Sequence, residues 1–181
     1  DNNQTYYWHV RARNYISSSE WSDVWKVTTA AKGGYQIYVQ KGWNMMSLPL
    51  RSDSLSFNQI FPTAISKAFI YREGSNYIDY NDSLKPGDGF WLKFGYDQFV
   101  QIAGDTILSD TIDVMLGWNM IGSLSESSSV NSILTIPDDL IYPEIFGYEN
   151  GYYITDSMKP GRGFWLKAKG NGKLILQSIL K

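Results

Sequence analysis

The stretch Lys85–Lys93, with the sequence KPGDGFWLK, recurs 74 residues later as KPGRGFWLK at Lys159–Lys167, with eight of nine positions identical. A second motif, Gly-Trp-Asn-Met, stands at Gly42–Met45 and again at Gly117–Met120. Two motifs repeated in the same order indicate an internal duplication. The sequence therefore predicts two copies of one unit, each of about 75 residues, behind a different N-terminal segment.

We divide the chain into four parts on this basis. N-terminal strands occupy residues 1–30, a linker follows at 31–36, repeat one spans 37–107 and repeat two spans 108–181. Alternation of apolar and polar residues predicts strands through most of each repeat, and short segments before Pro62 and Pro137 have helix-compatible spacing. The expected fold is all-β, with two tandem small β-sandwich or barrel modules and one short helix in each.

The repeated Lys-Pro-Gly-x-Gly motif predicts a type II turn that leads into a strand, because proline presets one dihedral and glycine takes the positive φ that follows. The second glycine of the motif, Gly89 or Gly163, stands at the start of that strand. The missing Cβ suits the close approach of another backbone, or of the ring of Trp43 or Trp118.

The tryptophans of the two motifs fall into two classes. Trp43 and Trp118 share parity with aliphatic neighbours, which predicts that both belong to the core. Trp91 and Trp165 share a strand face with lysines. We therefore expect these two rings to be partly exposed or covered by a neighbouring element.

Composition excludes several classes of function. The formal net charge is −2, which argues against the basic surface that nucleic-acid binding needs, and no apolar stretch is long enough for a spanning helix. The sequence contains no cysteine and a single histidine, His9, so we expect no thiolate metal site, no cysteine nucleophile and no cofactor.

Acidic side chains are candidates for catalytic groups and for calcium ligands. Asp79, Asp82 and Asp88 cluster around the first turn, but repeat two retains only Asp156, so turn or capping roles are favoured over calcium. The glutamates show no paired pattern of the kind that a glycosidase needs. The sequence therefore predicts no metal site, no catalytic residues and no enzyme activity.

The N-terminal segment resembles the last strands of a fibronectin type III domain, an immunoglobulin-like β-sandwich. Tyr6 and Ala12 match the spacing of the tyrosine corner in the sixth strand of that family, and Trp21–Thr29 resembles its last strand. The resemblance covers about thirty of the family's usual ninety residues. It implies that Tyr6 and Trp8 belong to a sandwich core that other strands or another subunit would complete.

The repeats resemble tandem Gly-Trp-Asn and Pro-Gly-x-Gly-Phe-Trp modules near the C-terminal ends of large secreted or surface proteins of bacteria, often after fibronectin type III domains. This resemblance implies an extracellular or cell-surface location and a non-catalytic structural role. We expect a spacer, an adhesion region or a subunit-assembly region, of the kind from which fibres can form. The expected partners are other domains or subunits of the same protein, bound through the exposed N-terminal strands.

Carbohydrate binding, as an accessory module of a secreted multidomain enzyme, is the alternative hypothesis. Sugar rings stack on exposed aromatic side chains, although cross-strand aromatic pairs also stabilise sheets without any ligand. The candidate ligand-binding residues are the tryptophans of the Lys-Pro-Gly-x-Gly-Phe-Trp motif and tyrosines near the central hairpin of each repeat: Trp91, Trp165, Tyr77, Tyr80, Tyr152 and Tyr153.

Overall fold

A computed structural model describes residues 5–28, 33–51, 57–80 and 84–178. The fold is all-β, as predicted, and its strand pairs are antiparallel. None of the helices in these ranges is long and apolar enough to span a membrane.

The N-terminal segment forms a two-stranded hairpin from β1 (Thr5–Trp8) and β2 (Trp25–Thr28). Repeat one contains β3 (Gly33–Val39), β4 (Gly42–Ser47), β5 (Leu50–Arg51), the short helix α1 (Phe57–Ile60), β6 (Ala68–Arg72), β7 (Asn76–Tyr80), β8 (Gly89–Phe94) and β9 (Gln98–Thr106). The predicted linker at 31–36 is wrong from Gly33 onward, because β3 already pairs with β9 there. Repeat two contains β10 (Ser109–Val114), β11 (Gly117–Ile121), β12 (Ser128–Ser129), the 3-10 helix Val130–Ser132, β13 (Leu134–Ile136), β14 (Ile145–Tyr148), β15 (Tyr152–Thr155), β16 (Ser157–Met158), β17 (Phe164–Ala168) and β18 (Gly172–Gln177).

The two repeats have the same sheet order. In repeat one a three-stranded sheet, β3-β9-β5, faces a four-stranded sheet, β4-β8-β6-β7. Repeat two has the corresponding sheets, β10-β18-β13 and β11-β17-β14-β15, and a further small pair, β12-β16. Each pair of larger sheets encloses its own buried apolar cluster, one from Ile37 to Ile102 and the other from Ile107 to Leu176.

Local sequence explains the turns. Gly87 and Gly161 have φ values of 85° and 77°, and the residue after each donates its backbone N–H to the lysine carbonyl three residues earlier. Both turns therefore have the positive φ that the Pro-Gly sequence predicts. Asn150-Gly151, a dipeptide typical of tight hairpin turns, joins β14 to β15, with Asn150 at φ 57°.

The asparagine of each Gly-Trp-Asn motif stabilises the preceding turn through side-chain hydrogen bonds. Asn44 donates its amide N–H groups to the carbonyls of Gln40 and Gly42, and its Oδ1 accepts from the Gln40 N–H at 3.0 Å. Asn119 makes the same three bonds in repeat two. The side chain of Asn44 points inward, so that of Trp43 points outward from the sheet.

The prediction that Trp43 and Trp118 belong to the core is wrong, since 43% and 39% of their surfaces are exposed. The alternation of β3 does not continue into β4, because the turn at Gln40 and Gly42 carries the chain from one sheet to the other. Gly42 adopts φ 98° at this crossing. The inward row of β4 is Asn44 and Met46, and Trp43 shares the outer row with Met45.

The described residues leave Tyr6 and Trp8 uncovered, since 48% and 46% of their surfaces are exposed, and their place in a core completed by other strands or another subunit stays a prediction. A two-stranded hairpin has no second layer of its own, so aromatic rings on both faces stay accessible. The rings of Trp8 and Trp25 contact each other across the strands at 5.4 Å, and the guanidinium of Arg11 lies 4.6 Å from the Trp21 ring.

Candidate functional site

The second glycine of each Lys-Pro-Gly-x-Gly-Phe-Trp motif lies at the contact between the repeats. A Cβ added to Gly89 would lie 2.6 Å from the carbonyl oxygen of Ile121, and one added to Gly163 would lie 2.7 Å from that of Met46. Met46 and Ile121 occupy equivalent places in the two Gly-Trp-Asn strands. Of the two alternatives predicted from the sequence, a backbone or a tryptophan ring, the structure has the close approach of a backbone, which comes from the other repeat.

Reciprocal hydrogen bonds join the same segments. Gly122 donates its N–H to the Gly87 carbonyl at 2.8 Å, and Ser47 donates its N–H to the Gly161 carbonyl at 3.1 Å. Each motif turn thus pairs with the end of the Gly-Trp-Asn strand in the other repeat. Such reciprocity is the pattern of an isologous interface between two identical subunits.

Aromatic rings extend this contact symmetrically. The Tyr71 ring in β6 meets the Trp165 ring edge to face at 4.9 Å, and Trp91 meets Tyr148 in β14 at 4.8 Å. Met45, Met120 and Trp165 form the buried centre of this cluster. Each edge-to-face pair contributes about 0.5–1.5 kcal/mol beyond its buried area. Trp91 and Trp165, the tryptophans of the Lys-Pro-Gly-x-Gly-Phe-Trp motif, therefore join the two repeats.

Two aromatic clefts flank the contact between the repeats, and Tyr152 borders both. Cleft one, of about 530 Å³, is lined by Trp43, Phe69, Tyr77, Trp91, Tyr148 and Tyr152. Cleft two, of about 410 Å³, is lined by Tyr71, Trp118, Phe146, Tyr152 and Trp165. Both have walls of apolar ring surface and need both repeats for their shape.

A lysine lies over the half-exposed tryptophan at each cleft. The Lys93 Nζ is 5.8 Å from the centre of the Trp43 ring, and the Lys167 Nζ is 6.0 Å from that of Trp118. Strand register explains both pairs, because Trp43 stands opposite Lys93 in β8 and Trp118 stands opposite Lys167 in β17. The two motifs together create a tryptophan–lysine pair in each repeat.

The clefts differ in charge. Glu73, in the hairpin turn of repeat one, accepts the backbone N–H of Trp118 at 3.1 Å and the hydroxyl of Tyr71 at 3.0 Å. The bond to Glu73 raises the pKa of Tyr71 above its usual 10.0, since it favours the protonated phenol. Burial raises the pKa of Tyr152 in the same direction. A carboxylate therefore bonds to two of the residues that line cleft two, Tyr71 and Trp118.

The sequence-predicted binding residues differ in burial and in the cleft that they line. Trp165 is buried, with 8% of its surface exposed, and Trp91 is half-buried against the other repeat, so each ring is covered by a neighbouring element. Tyr77 lines cleft one and Tyr152 lines both clefts. Tyr153 lies over Gly147 beside a separate polar depression. The side chain of Tyr80 lies outside the described residues.

Sequence reasoning missed Trp43 and Trp118 as surface residues. The available signal was the lysine that the strand pairing places opposite each ring, because a charged neighbour indicates a solvent-facing row. Counting the apolar–polar alternation across Gly42 or Gly117 gave the opposite face for each tryptophan, since each glycine marks a break between two strands.

The aspartates considered for calcium bind basic side chains where they are described. Asp79 pairs with Lys67 at 2.8 Å and Asp88 with Arg72 at 3.2 Å, whereas Asp82 lies outside the described residues. Within the described ranges, no three acidic or histidine side chains are grouped as metal ligands would be.

Comparisons with family models, with curated proteins and with solved structures found no match to this chain.

Proposed function

We propose that this chain is a non-catalytic extracellular structural and interaction region of a larger secreted bacterial surface protein. The observation that carries the proposal is the reciprocal contact between the repeats. The residues that recur in both copies, the motif glycines and the tryptophans at 91 and 165, are used to hold two modules together. A unit built in this way serves as a rigid spacer or assembly element.

The N-terminal hairpin supports an interaction role. Its aromatic side chains are exposed on a sheet of only two strands, and exposed apolar surface of this kind suits docking on another protein surface. Its partner in this proposal is another domain or subunit of the same protein, which would cover the face that carries Trp8 and Trp25.

Surface labelling of the organism that makes the parent protein tests the location. An antibody raised against residues 33–181 should label intact cells or detect the protein in the medium. Labelling only after the cells are permeabilised would contradict an extracellular role.

Carbohydrate binding is a second candidate function, favoured by the two aromatic clefts. The rings of Trp43 and Trp118 keep two-fifths of their surface accessible, and rings of this kind present a flat apolar face on which a pyranose can stack. Polysaccharide binding measured by tryptophan fluorescence tests this candidate. Loss of the signal in the double variant Trp43→Ala, Trp118→Ala, with the fold retained, is the expected result.

A further inference from the structure

We infer that cleft one, at the Trp43–Lys93 pair, binds an acidic polysaccharide, with a uronate pyranose stacked on Trp43 and its carboxylate at the Lys93 ammonium. This inference rests on the carbohydrate-binding candidate and names both the cleft and the class of sugar.

The first argument is charge. None of the ion pairs among the described residues involves Lys93. The nearby carboxylate of Asp79, which stands opposite Phe69 in the sheet, is paired with Lys67 at 2.8 Å. One positive charge therefore remains beside the Trp43 ring, and an anionic ligand complements it.

The second argument is the contrast with cleft two. Lys167, like Lys93, takes part in none of the ion pairs among the described residues, but at cleft two the Glu73 carboxylate accepts the Trp118 backbone N–H and the Tyr71 hydroxyl. The equivalent glycine of repeat one, Gly42, has open space where the Cβ of Gly117 would meet the Glu73 carboxylate at 2.9 Å. An acidic ligand is therefore expected at cleft one and disfavoured at cleft two.

The third argument is the kind of surface. Cleft one lies on the outer face of the four-stranded sheet, and its walls are ring faces and not the open edge of a strand, where an extended peptide would add. Neither the Tyr77 hydroxyl nor the Tyr148 hydroxyl bonds to another described residue. Flat rings with available hydroxyls and one cation fit a chain of hydroxyl-rich, carboxylate-bearing rings better than an acidic peptide.

Titration calorimetry with polygalacturonate and with its methyl-esterified form tests the inference on the whole chain. The two polymers share the sugar ring and differ in the charge of the carboxyl group. Polygalacturonate should bind, more weakly as salt is raised, and the ester should bind about fivefold more weakly, the upper range for one exposed ion pair.

Variants assign the contact to cleft one. Lys93→Gln should weaken polygalacturonate binding about fivefold and leave binding of the ester unchanged. Trp43→Ala should weaken binding of both polymers by at least about tenfold, since truncating a stacked aromatic anchor removes most of the contact. Trp118→Ala and Lys173→Gln, the matched changes at cleft two and at a distant paired lysine, should bind like the parent chain.

Three results would overturn the inference. In the first, polygalacturonate and its methyl ester bind equally well, and binding of both is lost in Trp43→Ala. This result would support carbohydrate binding at cleft one but contradict the proposed contact between the ligand carboxylate and Lys93. Binding of polyglutamate but of no polysaccharide would make the occupant an acidic peptide. Absence of binding to either polymer and to neutral polysaccharides would reject the inference and the carbohydrate candidate together.

Discussion

The hydroxyl oxygens of Ser47 and Ser123 lie 3.0 Å apart, buried between the repeats. Both serines directly precede a core leucine, so they are equivalent positions of the two copies. Contact between equivalent residues places them near an approximate two-fold axis that relates the repeats. The chain therefore resembles a dimer whose two subunits have been joined, and each motif glycine meets the backbone of the other copy.

Adding a methyl group at Gly89 or Gly163 should weaken this contact. The new Cβ would lie under 3 Å from a backbone carbonyl of the other repeat, and a backbone cannot move aside as a side chain end can. We expect Gly89→Ala and Gly163→Ala each to lower the free energy of unfolding by about 1–3 kcal/mol, the usual cost of overpacking. Chemical denaturation followed by tryptophan fluorescence measures the loss.

Gly151→Ala is the matched control for the glycine variants. A Cβ there would meet nothing within 4 Å, and the residue has no positive φ that a side chain would oppose. The free energy of unfolding should stay within about 0.5 kcal/mol of the parent chain. Equal losses at positions 89, 151 and 163 would contradict the argument from close approach.

The sequence predicted the turns because those features are local, whereas it predicted a close approach at Gly89 and Gly163 without indicating that the other repeat makes it. A Pro-Gly pair sets its own turn, and Asn150-Gly151 sets its own hairpin. The face of the sheet on which Trp43 lies could not be predicted from the alternation of β3. The chain passes from one sheet to the other at Gly42, and this passage depends on the fold of the whole repeat. The clefts were equally hidden, since their walls combine residues such as Trp91 and Tyr148 from separate copies.

Replacing Trp165 by alanine should cost far more stability than replacing Trp43. The Trp165 ring is buried among Tyr71, Met45 and Met120, so its loss leaves a cavity between the repeats. We expect a loss of about 3–5 kcal/mol for Trp165→Ala and of about 1 kcal/mol for the half-exposed Trp43→Ala. Urea denaturation monitored by circular dichroism compares them, and similar losses would contradict the placement of Trp165 between the repeats.

Stability should fall as pH rises above 10. Burial raises the pKa of Tyr38 and Tyr152, and the bond to Glu73 raises that of Tyr71, each from an ordinary value of 10.0. A raised pKa means that the folded chain holds its phenol proton more tightly than the unfolded chain. The resulting stabilisation is complete below the unfolded value and is lost as pH passes through the folded one.

Denaturation at a series of alkaline pH values, with tyrosinate followed by ultraviolet absorbance, measures this loss. Tyr71→Phe removes one of the titrating groups, so the slope of stability against pH should become shallower in this variant. A free energy of unfolding that stays level from neutral pH to beyond 10 would contradict the expected direction.

The N-terminal hairpin should drive association of the purified chain. Trp8 and Trp25 contact each other across the two strands, yet both remain exposed, and an open two-stranded sheet with accessible apolar faces is prone to pair with other chains. Size-exclusion chromatography with light scattering should show masses above that of one chain, rising with concentration. The double variant Trp8→Lys, Val27→Lys should shift the population to single chains, because it places charge on the one face that carries Trp8, Trp25 and Val27. Lys173→Gln, a charge change on repeat two, is the control and should associate like the parent chain.

A single-chain mass at every concentration would contradict this prediction. If the Trp8 ring were also shielded from a soluble quencher, the hairpin would have to fold back on its own repeats and would need no partner.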